Sequence, residues 1–136
     1  MNKILPLFLF IFVFTGCKKA IQQAQENAII QAMTTGTWVV TQFKQNSNDI
    51  TSSFSGYSFK YNTDRTVNAI KNSAVETTGS WDANSDALTI YANFLNANQP
   101  LPLLNGTWHI DNTTWTSVDA SMTVGSELRT LKLVKQ

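Results

Sequence analysis

The sequence predicts an all-β protein: an eight-stranded antiparallel up-and-down β-barrel with a short N-terminal helix. Three observations predict it. Beyond residue 36 the chain falls into short runs rich in Val, Thr and aromatic residues, punctuated by Asn, Asp, Gly and Ser roughly every ten residues. Within several of these runs apolar and polar residues alternate, which gives each strand one apolar face. Eight such strands in meander order expose two edges, and closing the sheet on itself removes both.

The chain opens with Lys3, an apolar run from Ile4 to Phe14, and then Thr15-Gly16-Cys17. At about 1.5 Å of helical rise per residue that run covers half of a bilayer core of roughly 30 Å, so it reads as a removable signal peptide over residues 1–16 rather than a spanning helix. Phe14-Thr15-Gly16-Cys17 resembles a lipobox, with Phe14 where Leu is usual. The resemblance implies that Cys17 is the lipidated first residue of an extracytoplasmic lipoprotein, carrying diacylglycerol and an N-acyl chain such as palmitate. Two or three acyl chains anchor a protein stably where one does not. Cys17 is also the single cysteine, which excludes a disulfide framework and a multi-thiolate metal site.

Residues 17–35 read as the lipidated cysteine, a tether and the helix, and residues 36–136 as one barrel domain. The chain has 10 basic and 9 acidic residues, and Lys3 leaves with the signal. A balanced charge without clusters of Lys and Arg excludes a nucleic-acid surface. The aromatic content, spread along the chain, excludes disorder.

Ala20 to Met33 reads as the helix, with Ile21, Ala28, Ile29, Ala32 and Met33 along one face, ended by Thr34-Thr35-Gly36. That face either fills a partner's groove or plugs the chain's own barrel, and the second reading is preferred. The eight strands are expected at Thr37 to Lys44, Gly56 to Tyr61, Thr66 to Lys71, Glu76 to Trp81, Ala87 to Tyr91, Gly106 to Asp111, Thr114 to Thr123 and Glu127 to Lys135. Tyr57, Phe59 and Tyr61 share an inward face, as do Leu88 and Ile90, Trp108 and Ile110, and Leu131 and Leu133; Trp81 and Trp115 are also expected inside. Tight connections at Asn62 to Arg65, Ala83 to Ser85 and Asn112-Thr113 make neighbours antiparallel hairpins.

Gly36-Thr37-Trp38 after a short helix resembles the Gly-x-Trp signature of lipocalins. It is joined by Phe59 to Val67, Gly79-Ser80-Trp81 and Asn105-Gly106-Thr107-Trp108. Together these resemble the small lipocalin-like domain of Bacteroidetes lipoproteins, over about residues 34 to 135. The resemblance implies that Gly36 and Trp38 form the base of the barrel and that Arg129 is the basic residue lying over Trp38. The sequence departs from the pattern at Arg65, where such turns usually carry Gly. Lys18-Lys19 lacks the acidic run that resembles a surface-export tag in such bacteria, which favours the periplasmic side of the outer membrane.

His109 is expected on the outer face, without a sequence-local nucleophile pattern. Asp82, Asn84 and Asp86 begin like a calcium loop, but Ala87 stands at the position of the sharp-turn Gly and Asn93 at that of the bidentate Glu, so they read as a hairpin turn. The sequence therefore points to a non-enzyme without cofactor or metal, and to a monomer.

Two long apolar connections carry the functional expectation: Gln45 to Ser55, with Ile50 and Phe54, and Ala92 to Asn105, with Phe94, Leu95, Leu101, Leu103 and Leu104. Folded over the barrel mouth, they cover a small hydrophobic or amphipathic ligand bound by Tyr57, Phe59, Tyr61, Ile90, Phe94, Leu101 and Leu103. Left outside, they form an exposed apolar patch, with Pro100 to Leu104 docking on a cell-envelope protein. An eight-stranded barrel is just wide enough for either a side-chain core or one small ligand, and side-chain bulk decides which.

Overall fold

The computed structural model describes residues 15–136, with side chains from residue 24. The expected signal peptide lies almost wholly outside the described residues, as do the side chains of Cys17 and Ile21.

Helix α1 (Thr15–Thr34) is followed by β1 (Trp38–Gln45), β2 (Asn48–Asp49), β3 (Tyr57–Tyr61), β4 (Thr66–Lys71), β5 (Ala74–Asn84), β6 (Thr89–Asn93), β7 (Gly106–Thr113), β8 (Ser117–Val124) and β9 (Glu127–Lys135). The strands form one sheet in sequence order except that β2 lies on the free side of β1, and β1 also pairs with β9. All pairings are antiparallel. Eight strands, β1 and β3 to β9, thus close the expected barrel, and β2 is a two-residue addition that pairs with the end of β1. The closure is uneven. Strand β1 runs beside β9 from Trp38↔Lys135 to Gln45↔Arg129, but meets β3 only at Trp38↔Phe59.

The inward rows are those the alternation calls for. Tyr57, Phe59, Tyr61, Val67, Ala69, Trp81, Ile90, Trp108, Ile110, Val118, Leu131 and Leu133 are buried in one continuous core, while His109 and Lys132 face out. Two residues depart. Leu88 sits in the β5–β6 turn with a positive φ of 52° and is 50% exposed, because β5 continues to Asn84 and β6 starts only at Thr89. Trp115 lies in the β7–β8 turn and is 58% exposed: the Thr114 N–H donates to Ser117 O and Thr114 Oγ1 accepts from the Thr116 N–H, so the strand cannot begin until Ser117. Helix α1 starts five residues before the expected Ala20.

The three Gly-x-Trp units share one function. Each tryptophan is almost fully buried, and each indole Nε1–H donates 2.9 Å to a backbone carbonyl of a connection: Trp38 to Met33 at the end of α1, Trp81 to Asn62 in the β3–β4 turn, and Trp108 to Leu104. A buried ring whose N–H also bonds a connection's carbonyl fixes that connection onto the barrel. The glycines serve different ends. Gly36 has a φ of +75°, whereas a Cβ at Gly79 would stand 2.4 Å from Asn93 O, a spacing that only glycine allows where two strands approach so closely.

Candidate functional site

The two ends of the barrel are closed differently. At one end the long connections form short 3-10 helices, Thr51–Phe54 and Leu101–Leu104. Phe54 stacks on Phe43 with centroids 5.0 Å apart, and Phe94 packs on Phe59 at 6.1 Å. Asn105 holds the second loop shut like a missing ladder rung: its Oδ1 accepts the Phe94 N–H at 2.6 Å and its Nδ2 donates to Phe94 O at 3.3 Å. Pro100, Leu101 and Leu104 are buried and Leu103 is half-buried. The connections therefore act as a lid, and the expectation of an exposed Pro100 to Leu104 surface is corrected. Of the lid's large apolar side chains only Leu95, 74% exposed, stands out of it.

Beneath that lid the interior is filled. Of the expected ligand-binding residues, Tyr57, Phe59, Tyr61, Ile90, Phe94 and Leu101 are all core residues, and Leu103 packs against that core. Tyr61, Ile90 and Phe94 surround a void of about 20 Å³, far below the roughly 300 Å³ at which small-molecule pockets begin. Burial pushes the Tyr61 hydroxyl pKa well up. Tyr57 Oη donates to Glu76 at 2.6 Å, and its pKa is pushed up to about 12, by desolvation first and then by that carboxylate.

At the opposite end α1 lies across the mouth. Its C-terminus is pinned twice, by Trp38 to Met33 O and by Lys60, whose Nζ donates to Thr34 O at 2.6 Å and to Gly36 O at 3.3 Å. A cation at the last turn of a helix satisfies free carbonyls and the negative end of the dipole together. Met33 is buried, and Ile29 and Ile30 pack against the core, so the apolar face of the helix serves its own barrel. The basic residue over Trp38 is Lys135, with Nζ 5.0 Å from the ring centre. Arg129 does not reach it, which corrects the expectation from the resemblance: it lies at the lid end, bonding Glu127 at 2.6 Å and Leu103 O at 3.4 Å.

Helix and barrel do not meet everywhere. Between them remains a cleft of about 320 Å³, walled by Ala28, Ile29, Ala32 and Met33 on one side and by Trp38, Ile90, Ile110, Val118 and Trp115 on the other. Thr113 and Thr114 are its polar members, and both hydroxyls are already engaged within the β7–β8 turn. No charged side chain of the described residues lines it. Of the residues the sequence proposed for a ligand, only Ile90 borders this cleft. The cleft itself was missed, because its two walls lie far apart in the chain; the apolar stripe Ala28, Ile29, Ala32 and Met33 was the available signal.

The outer face holds one polar cluster that the sequence did not suggest. His109 Nδ1 lies 3.0 Å from Asp111 Oδ1, and Ser121, opposite His109 across the β7–β8 ladder, also bonds Asp111. Burial pushes the Asp111 pKa up, but the bonds from His109 and Ser121 outweigh it and leave it lowered. His109 and Ser121 thus both bond the one carboxylate, which ties β7 to β8 on the outer wall. Asp82 pairs with Arg65 at 3.2 Å and Asn84 Oδ1 accepts the Asp86 and Ala87 amides, the hydrogen bonding of an ordinary Asx turn.

Among solved structures, the chain is similar to the crystal structure of a DUF4847 family protein from Bacteroides vulgatus ATCC 8482, at a TM-score of 0.56 and 13% sequence identity over 79% of this chain and 99% of that one. The likeness is one of fold. No protein-family model and no curated protein matches the chain.

Proposed function

We propose that this chain is a lipocalin-like lipoprotein of the cell envelope that binds a small apolar ligand without catalysing a reaction, and that the ligand sits in the cleft between α1 and the barrel rather than under the lid. The cleft carries the reading: about 320 Å³ lies at the lower end of the small-molecule range, its walls are aliphatic and aromatic, and no charged group must be desolvated to fill it. The lipobox-like Phe14 to Cys17 supports the anchor, and Lys18-Lys19 the periplasmic side of the outer membrane. The adaptor alternative loses its surface, since Pro100 and Leu104 are buried.

Titration of the protein with N-phenyl-1-naphthylamine, an uncharged apolar fluorophore, tests the site. One dye per chain is expected, with affinity reduced about tenfold, equivalent to roughly 1.4 kcal/mol, when Ala32→Phe fills the cleft. Unchanged affinity in that variant, or no uptake by the parent chain, overturns the reading.

A further inference from the structure

We infer that the cleft receives one acyl chain of a bilayer phospholipid directly from the membrane, the barrel resting on the bilayer by the rim that carries Trp115 and Leu88. This rests on the ligand-binding reading above and names its ligand and the source of that ligand.

Two of the large exposed apolar side chains belong to this rim. Trp115, 58% exposed, is both a wall of the cleft and the tip of the β7–β8 turn. Leu88, 50% exposed, is on the neighbouring β5–β6 turn, and its carbonyl accepts the N–H of Ile110, another wall residue. A tryptophan with an apolar body and a polar edge is suited to the boundary between headgroups and acyl chains. The cleft is open at that rim and offers a ligand no unengaged polar partner among its described walls, so it favours a chain whose headgroup stays outside.

The helix points the same way. Cys17 and Ala28 belong to one continuous helix, eleven residues apart, or about 16 Å at about 1.5 Å per residue. An anchor at Cys17 therefore holds the cleft end of the barrel, and not the lidded end, close to the bilayer. A lipid chain that enters the cleft exchanges one apolar surrounding for another, while burying Ile29, Ile110 and Val118 surface that water otherwise touches.

The test uses the mature form, residues 17–136 with Cys17→Ser, so that no covalent lipid holds it to a membrane, and phosphatidylcholine vesicles with brominated acyl chains. Bromine is expected to quench the emission component that Trp115→Phe removes, and one phospholipid per chain is expected to stay with the protein once vesicles are sedimented. Ala32→Phe should lose that phospholipid. Leu88→Ser should reduce vesicle association several-fold while leaving uptake of the naphthylamine dye intact, because Leu88 is outside the cleft. Dye uptake without vesicle association or a retained phospholipid overturns the membrane inference alone, as does association indifferent to Leu88→Ser. Absence of dye uptake overturns the ligand-binding reading beneath it.

Discussion

Lys135 Nζ lies 5.0 Å above the ring of Trp38 while the same ring donates its N–H to Met33 O, so the last strand, the first strand and the helix converge on one indole. Trp38→Phe keeps an aromatic ring but shrinks it, leaving a void in the core and that buried carbonyl without its donor. A cost of about 1–3 kcal/mol is expected, read as a lower urea midpoint, together with faster proteolysis within α1. Lys135→Ala removes only a half-exposed cation–π contact and is expected to cost about 0.5–1 kcal/mol.

Gly79 is fixed by the neighbouring strand rather than by its own backbone angles. Because an alanine Cβ meets Asn93 O at 2.4 Å and Phe94 close behind it, Gly79→Ala must push β5 and β6 apart. The expected loss is about 1–3 kcal/mol, measured by thermal or urea unfolding. A variant as stable as the parent chain contradicts the close approach.

Arg65 stands at a φ of 69°, a left-handed conformation that costs a side-chain-bearing residue about 1–2 kcal/mol. Its guanidinium offsets this by lying 5.6 Å over Trp81 and pairing with Asp82, worth about 0.5–1 and 0–1 kcal/mol respectively. Arg65→Gly is therefore expected to change the melting temperature little, whereas Arg65→Ala loses the contacts, keeps the strain and melts earlier. The order of the two variants is the readout.

Tyr57 and Tyr61 hold their protons more tightly folded than unfolded, since both pKa values are raised from 10. The folded state then binds more protons above that value, so its stability is complete below pH 10 and falls as pH rises through the folded value, about 12 for Tyr57. Alkaline urea titrations should show this decline, and Tyr57→Phe should flatten it between pH 10 and 12 while costing some stability at neutral pH through the lost Glu76 bond.

Strands β4 and β9 begin and end at the residues expected from the sequence, because Asn62 and Asp64 and Gly125-Ser126 before them and Asn72 after β4 are unambiguous turn residues. The inward rows were equally legible, since alternation fixes a face once register is set. Leu88 and Trp115 misled because their apolarity matches a strand interior, yet a positive φ at Leu88 and the Thr114–Ser117 backbone bond around Trp115 hold them in turns. The lid was foreshadowed by Phe54, Phe94 and Leu101. Asn105 was not, because an amide that closes a loop in place of a backbone pair has the same sequence signature as any turn asparagine. Lys60 was hidden likewise; its outward position on β3 was plain, but its helix-end partners Thr34 and Gly36 come from elsewhere. The cleft exists only because α1 rests on β3 and β5 and leaves a gap toward β6, β7 and β8, a relation no local pattern encodes.

The single pairing of β1 with β3 gives the cylinder one weak joint. Amides of β1 that turn toward β3 between Val39 and Gln42 have no neighbouring ladder, whereas those of β4, β5, β8 and β9 are held on both sides. Isotope exchange should accordingly be fastest along that joint and slowest around the rest of the wall. Opening that joint leaves β1 attached through β9, and Lys60 of β3, bonded to Thr34 O and Gly36 O just before β1, is the clasp that must release for the cylinder to unroll.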